Sequence, residues 1–111
     1  MVTYIPDRGD IIWINFDPQV GHEQAGHRPA LVVSRRIYNR ASELLICFPI
    51  RSRRKGYGFE VPLPKDFKVE GVVLVDQIKS MDWRLRKVRF FAKAPDNVLA
   101  DTLDKLKALL S

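Results

Sequence analysis

Nine consecutive residues, Gly21-His22-Glu23-Gln24-Ala25-Gly26-His27-Arg28-Pro29, carry no large apolar side chain and stand between two apolar runs, Ile11 to Phe16 and Ala30 to Val33. A stretch of that composition cannot join a core, so the chain must carry it as a loop held between two strands. Polar loops on rigid scaffolds are where binding and chemistry concentrate. The glycines permit positive φ, which lets such a loop fold tightly and bring several polar groups to one point. Pro29, with a fixed φ and no N–H, suits the start of the second strand.

The other apolar segments are equally short. Asp10 to Phe16 reads as a strand with Ile12, Ile14 and Phe16 on one face. Ala30 to Ser34 and Leu44 to Pro49 read as buried strands, and Phe59 to Leu63, Gly71 to Val75 and Val88 to Phe91 as further ones. From Asp76 a period of two runs through Ile78, Ser80 and Asp82 to Trp83 and Leu85, so the strand is expected to continue or bend there. Arg35 to Ser42 reads as a short helical turn or a loop, and Ile50 to Gly58 as a basic loop. The tail differs in kind: Val98, Leu99, Leu103, Leu106, Leu109 and Leu110 recur at helical spacing, with Asp101, Asp104, Lys105 and Lys107 largely opposite. Pro95 suits the first helical turn and Asp96 the positive end of the dipole. Six or seven short strands and one terminal helix in 111 residues predict a single domain, mainly β with α. Its expected form is a small twisted β-barrel with a C-terminal amphipathic helix.

Charge is uneven. The net +6 is confined to residues 51–93, which carry a net +7, while residues 1–50 sum to zero and residues 94–111 to −1. A localised basic surface fits a polyanionic partner or a solvated face. The single cysteine, Cys47, lies in an apolar run, which excludes an internal disulfide and predicts a buried thiol. No run is long enough to span a bilayer and no signal-peptide pattern is present, so no membrane association and a cytoplasmic location are expected.

Three polar clusters remain once the core is assigned: His22, Glu23, Gln24, His27 and Arg28; Arg51, Ser52, Arg53, Arg54 and Lys55; and Asp76, Gln77 and Lys79. If they share one end of the barrel they form a groove combining acid, base and positive charge. RNA cleavage by transesterification needs that mixture: a base for the 2′ proton, an acid for the departing 5′ oxygen, and cations for the charge-rich phosphorane. Glu23 could be the base, Arg28 could hold phosphate oxygens at two points, His22 or His27 could be the acid, and Ser52 could donate to a non-bridging oxygen. Glu23 and Arg28 read equally as a surface ion pair, the histidines as structural residues and Asp76 as a turn cap. Trp13 and Trp83 read as core or interface residues, although an exposed one could stack on a base. The spacing matches no metal-ligand pattern, so neither a metal nor another cofactor is expected.

Gly9-Asp10-Ile11-Ile12-Trp13, Phe16-Asp17-Pro18 and the Gly21-His22-Glu23-Gln24-x-Gly26-x-Arg28-Pro29 block resemble the amino-terminal signature of the MazF/PemK toxins. The resemblance continues through Tyr38-Asn39, Pro49-Ile50, Gly56-Tyr57-x-Phe59-Glu60-Val61 and Gly71 to Ser80, and is nearest to the MazF branch. It implies an SH3-like barrel, a homodimer and a sequence-specific, metal-independent endoribonuclease. Cleavage of single-stranded RNA would leave a 2′,3′-cyclic phosphate and a 5′-hydroxyl. An acidic antitoxin encoded alongside would lie over the groove. By the same resemblance Glu23, Arg28 and Ser52 are catalytic, with His22 added from the PemK branch. Gln24, His27, Arg51, Arg53, Arg54, Lys55, Asp76, Gln77 and Lys79 are expected to bind RNA.

Two departures from the family pattern stand out. A pair of hydroxyl residues is usual where this chain has Arg51-Ser52, and Leu74 replaces the PemK-type arginine two residues before Asp76. The alternatives from other classes are a non-enzymatic toxin of similar fold that inhibits DNA gyrase, and a passive RNA-binding module.

Overall fold

The computed structural model describes residues 3–17, 21–22 and 26–111. Its strands are β1 (Asp10–Asn15), β2 (His27–Val32), β3 (Leu44–Arg51), β4 (Glu60–Pro62), β5 (Val72–Leu74), β6 (Lys79–Asp82) and β7 (Arg89–Lys93). Helix α1 (Arg36–Ser42) joins β2 to β3, a 3-10 turn (Val75–Gln77) joins β5 to β6, and α2 (Asp96–Leu110) closes the chain. Pairing is antiparallel throughout, in the order β4-β5-β3-β2-β1-β7. The eight-residue β3 serves two sheets, with Leu44 to Cys47 opposite β6 and Ile50 and Arg51 opposite β5. The sheet therefore folds over on β3. Among the described residues β4 and β7 do not pair, so the expected barrel is open there.

Side chains alternate across a strand, so one sheet feeds two cores. One holds Ile12, Ile14, Phe16, Ala30, Val32, Leu45, Cys47, Met81 and Trp83. The other holds Ile11, Leu31, Phe48, Ile50, Val61, Val73 and Val75, and α2 lays Val98, Leu99, Leu103 and Leu106 on it. The expected face of β1 is the observed one. Cys47 is fully buried, and that burial pushes its thiol up to about 12. Trp83 is buried and donates its indole N–H to the Asn39 carbonyl at 2.9 Å.

Several element ends differ from the sequence reading or settle between its alternatives. β2 begins at His27, three residues before the expected Ala30, because Asn15, Ile14 and Trp13 pair with His27, Arg28 and Pro29. β2 meets β3 only from Ala30 onward, so a residue without an N–H is tolerated just before that point. After Asp76 the chain bends instead of continuing as one strand. The 3-10 turn interrupts it, and β6 stops at Asp82, whose carboxylate accepts the N–H groups of Arg84 and Leu85, each at 3.0 Å. Residues 36–42 are a helix that ends on Glu43 in the left-handed region. On α2, Pro95 is the cap rather than a first-turn residue, and Leu109 and Leu110 are exposed, so the apolar stripe seats only its first three turns.

Candidate active site

The polar loop hangs from a fixed base. The Phe16 N–H donates to the Gly26 carbonyl at 2.9 Å, and the Gly26 N–H donates to the Asp17 carboxylate at 2.8 Å. Arg86, from the β6–β7 turn, donates to the carbonyls of Asn15 at 3.1 Å and Asp17 at 2.7 Å. Gly26 reverses the chain with φ 74°, where any Cβ would be strained. His22 is exposed beyond this base, whereas the candidate catalyst Glu23 and the candidate RNA ligand Gln24 lie outside the described residues.

His27 and Arg28 are not loop residues but the first two residues of β2. Arg28 is half-buried, and Ile14 lies opposite it on β1. A cavity of about 340 Å³ opens beside this end of the strand. Its apolar lining comes from Trp13, Pro29, Ile50, Val69 and Phe91, and its polar lining from His27, Arg28, Ser52, Lys68 and Glu70. Trp13 and Phe91 stack with centroids 5.5 Å apart and 15° between their planes. The first two sequence clusters thus meet, through His27, Arg28 and Ser52. Lys68, Val69 and Glu70 belong to the connection between β4 and β5, which sequence reasoning passed over because nothing local ties it to the polar loop.

Strand alternation adds a division. Arg28 shares its face with Ala30 and Val32, which belong to the Cys47 core, whereas His27 and Pro29 share theirs with Leu31, of the α2 core. On β3, Arg51 falls on the Cys47 side, and Lys79 of β6 lies directly opposite Cys47. Arg28, Arg51 and Lys79 therefore share one face of the sheet. Asp76 is exposed and Gln77 half-buried in the 3-10 turn; neither they nor Lys79 lines the cavity.

Arg51 closes β3 instead of standing in the basic loop, and its guanidinium is bonded to the carboxylate of Glu60. Glu60 also accepts the N–H groups of Lys55 at 3.0 Å and Gly56 at 2.8 Å. Burial opposes its charge, but those two N–H groups and Arg51 outweigh that cost and hold its carboxyl below the usual range. Arg53, Arg54 and Lys55 are exposed, as is Ser52. Among the described residues no three His, Cys, Asp or Glu side chains converge as metal ligands, and no helix is long and apolar enough to cross a membrane.

The aromatic wall stands beside His27, Ser52, Lys68 and Glu70, with Arg28 at the same strand end on the opposite face; rings can take bases and cations phosphates. Known proteins agree in kind. A family model described as "PemK-like, MazF-like toxin of type II toxin-antitoxin system" matches residues 7–110. The chain is 51% identical over 83 residues to the endoribonuclease toxin MazF of Escherichia coli (strain K12), covering 75% of this chain and 74% of that protein. The crystal structure of MazF from Deinococcus radiodurans matches at 51% identity with a TM-score of 0.94, over 97% of this chain and 98% of that one. A MazE-MazF structure from the same organism matches at 51% identity and 0.88, over 97% of each chain.

Proposed function

The chain belongs to the PemK-like, MazF-like toxins of type II toxin-antitoxin systems, and from that membership together with the site we propose that it is an endoribonuclease toxin that cuts single-stranded RNA in the cytoplasm. The observation that supports the reading is that Arg28 and His27 are consecutive at the start of β2, beside a cavity that Ser52 also lines and that Trp13 and Phe91 wall. The relatives favour this over a gyrase-binding toxin or a passive RNA-binding module, since those the chain matches are endoribonuclease toxins.

The proposed reaction is transesterification by the substrate's own 2′-hydroxyl, without a metal. Glu23 takes the 2′ proton, Arg28 holds the phosphate oxygens, His22 or His27 protonates the departing 5′ oxygen, and Ser52 donates to a non-bridging oxygen. Arg28 suits its part because a strand with a neighbour holds its backbone in place before substrate arrives. The exposed Arg53, Arg54 and Lys55 supply positive charge for flanking phosphates. Asp76, Gln77 and Lys79 serve RNA outside the cavity. The working unit is a symmetric homodimer, and the neutralising partner is an antitoxin with an acidic extended segment, complementary to the +7 of residues 51–93.

A substrate with one deoxynucleotide 5′ of the cut tests the chemistry. It should bind with nearly unchanged affinity, since phosphates and bases supply most of it, and should not be cleaved. Cleavage of the all-ribose substrate should survive excess EDTA and leave a 2′,3′-cyclic phosphate. Cutting at the deoxy position, or loss of activity in EDTA, would make water the nucleophile and overturn the roles of Glu23 and Arg28.

A further inference from the structure

Resting on the RNA-cleaving reading above, we propose that Glu60 and Arg51 are positioning residues that hold the basic loop 51–57 in its RNA-binding shape, and that Arg51 makes no phosphate contact of its own. Glu60 is only 5% exposed at the start of β4. Its carboxylate ties both ends of the loop: Arg51, where β3 ends, and the N–H groups of Lys55 and Gly56, where the chain turns back. Arg51 spends its other contacts inside the loop as well. Its Nε donates to the Arg53 carbonyl at 2.8 Å, and its guanidinium carbon lies 5.7 Å from the centre of the Tyr57 ring.

The charge arithmetic makes this arrangement informative. Arg51 at the end of β3 and Arg53, Arg54 and Lys55 just after it crowd together, and like charges repel and extend a free segment. A buried anion inside such a loop weakens its attraction for a polyanion. It serves the loop only by fixing its shape, so that RNA binding does not have to bear the cost of ordering it. The remaining cations, Arg53, Arg54 and Lys55, stay exposed for phosphates.

The two roles predict opposite signs. Glu60→Gln keeps size and can still accept from Lys55 and Gly56, but it removes an anion and releases Arg51. If Arg51 were a phosphate ligand or the loop a mere charge patch, E60Q should bind RNA more tightly. If Glu60 positions the loop, E60Q should bind about tenfold more weakly, in line with the loss of one or two pre-ordered side chains. The probe is a 2′-O-methyl single-stranded RNA of mixed sequence, which cannot be cut, titrated into the full chain. With cleavable RNA, KM should rise by a similar factor while kcat stays close to wild type. Arg51→Lys, which keeps the charge but not the planar contact, should behave like E60Q. Amide exchange at Lys55 and Gly56 should be slow in the wild type and faster in both variants. Freely exchanging amides in the wild type, or unchanged or tighter RNA binding in E60Q or R51K, would overturn the positioning role. A wild type that binds no RNA would instead overturn the functional reading on which it rests.

Discussion

Replacing Gly71 by alanine puts the largest structural penalty at the smallest chemical change. Gly71 lies just before β5 with φ 121°, a region L side chains rarely adopt. A Cβ there would sit 2.0 Å from the Arg51 carbonyl oxygen, 2.8 Å from its carbon and 2.9 Å from the Ser52 Cα. These are backbone atoms, and Arg51 is held in register opposite Val72. The Gly71 carbonyl in turn accepts the Leu63 N–H at 2.9 Å, so neither side can yield alone. The strained backbone costs about 1–3 kcal/mol and the forced shift of packed chain about 1–3 more, giving about 2–6 kcal/mol in all. Gly26→Ala is the matched control, with φ 74° and nothing within 4 Å of the added Cβ, so only the left-handed penalty of about 1–2 kcal/mol applies. Urea unfolding at unchanged m-value should show G71A to be the less stable variant by at least about 1 kcal/mol. Because the displaced atoms lead into Ser52, G71A should also cleave RNA poorly under conditions where it remains folded. A G71A protein no less stable than G26A would refute the claim that this close approach is fixed by the native sheet.

Arg28→Ala should lower kcat/KM by roughly 10²–10³, the loss seen when one charged or oxyanion contact is removed; Arg28→Lys should restore little of it, since an ammonium cannot make a planar two-point contact. Because Arg28 is half-buried on a strand, R28A should also lose about 1 kcal/mol of stability, and full activity in it would sink the site. Glu60, through Lys55, Gly56 and Arg51, and Asp7, chiefly through the Arg36 N–H, are held below their usual carboxyl values. Their contribution is therefore complete above the unfolded carboxyl range of about 4 and is lost as pH falls through the lower folded values. The urea midpoint should drop below about pH 4, with a shallower drop in E60Q; a midpoint that rose on acidification would contradict the sign. If the working unit is a dimer, sedimentation should show it, and specific activity should fall on dilution together with the dimer.

What the sequence made legible was periodic. The period of two in Ile12, Ile14 and Phe16, and the helical period of residues 98–106, are local patterns that report burial directly. At residues 76–85 the strand bends, one of the two expected outcomes, and α2 does run to Leu110, but burial stops short of both ends: alternation and helical spacing persist in the letters after the neighbouring element that gives them meaning has ended. Leu85 continues the pattern but is 80% exposed in a turn set by Asp82. Leu110 continues the helical stripe but is 76% exposed, past the part of α2 that meets the core. The site was legible as a set of chemical types and not as an arrangement. Lys68 and Glu70 could not be found, since they reach the cavity through the β4–β5 connection. Arg51 read as an RNA-binding cation because its partner Glu60 lies nine residues on, in the separate strand expected at Phe59 to Leu63.

The transfer of His27 and Arg28 from loop to strand changes the division of labour in the proposed site. Electrostatic stabilisation works best from groups whose position is fixed before the charge develops, because no reorganisation is then needed at the moment of reaction. Arg28 meets that condition: its backbone is held opposite Ile14, and the next turn of the chain is held by Phe16, Asp17, Gly26 and Arg86. Proton transfer needs the acid and the base held within hydrogen-bond reach of the reacting oxygens. His22 is exposed. On this reading Arg28 of the strand holds the phosphate, while the protons fall to Glu23 and to His22 or to His27 of the same strand. Loosening the base should then cost both functions together, so Arg86→Ala, which removes the donor to Asn15 and Asp17 without touching the cavity lining, should lower kcat without the selective rise in KM expected from Glu60→Gln. An R86A enzyme with wild-type kcat would separate the anchored base from catalysis and leave Arg28 fixed by the sheet alone.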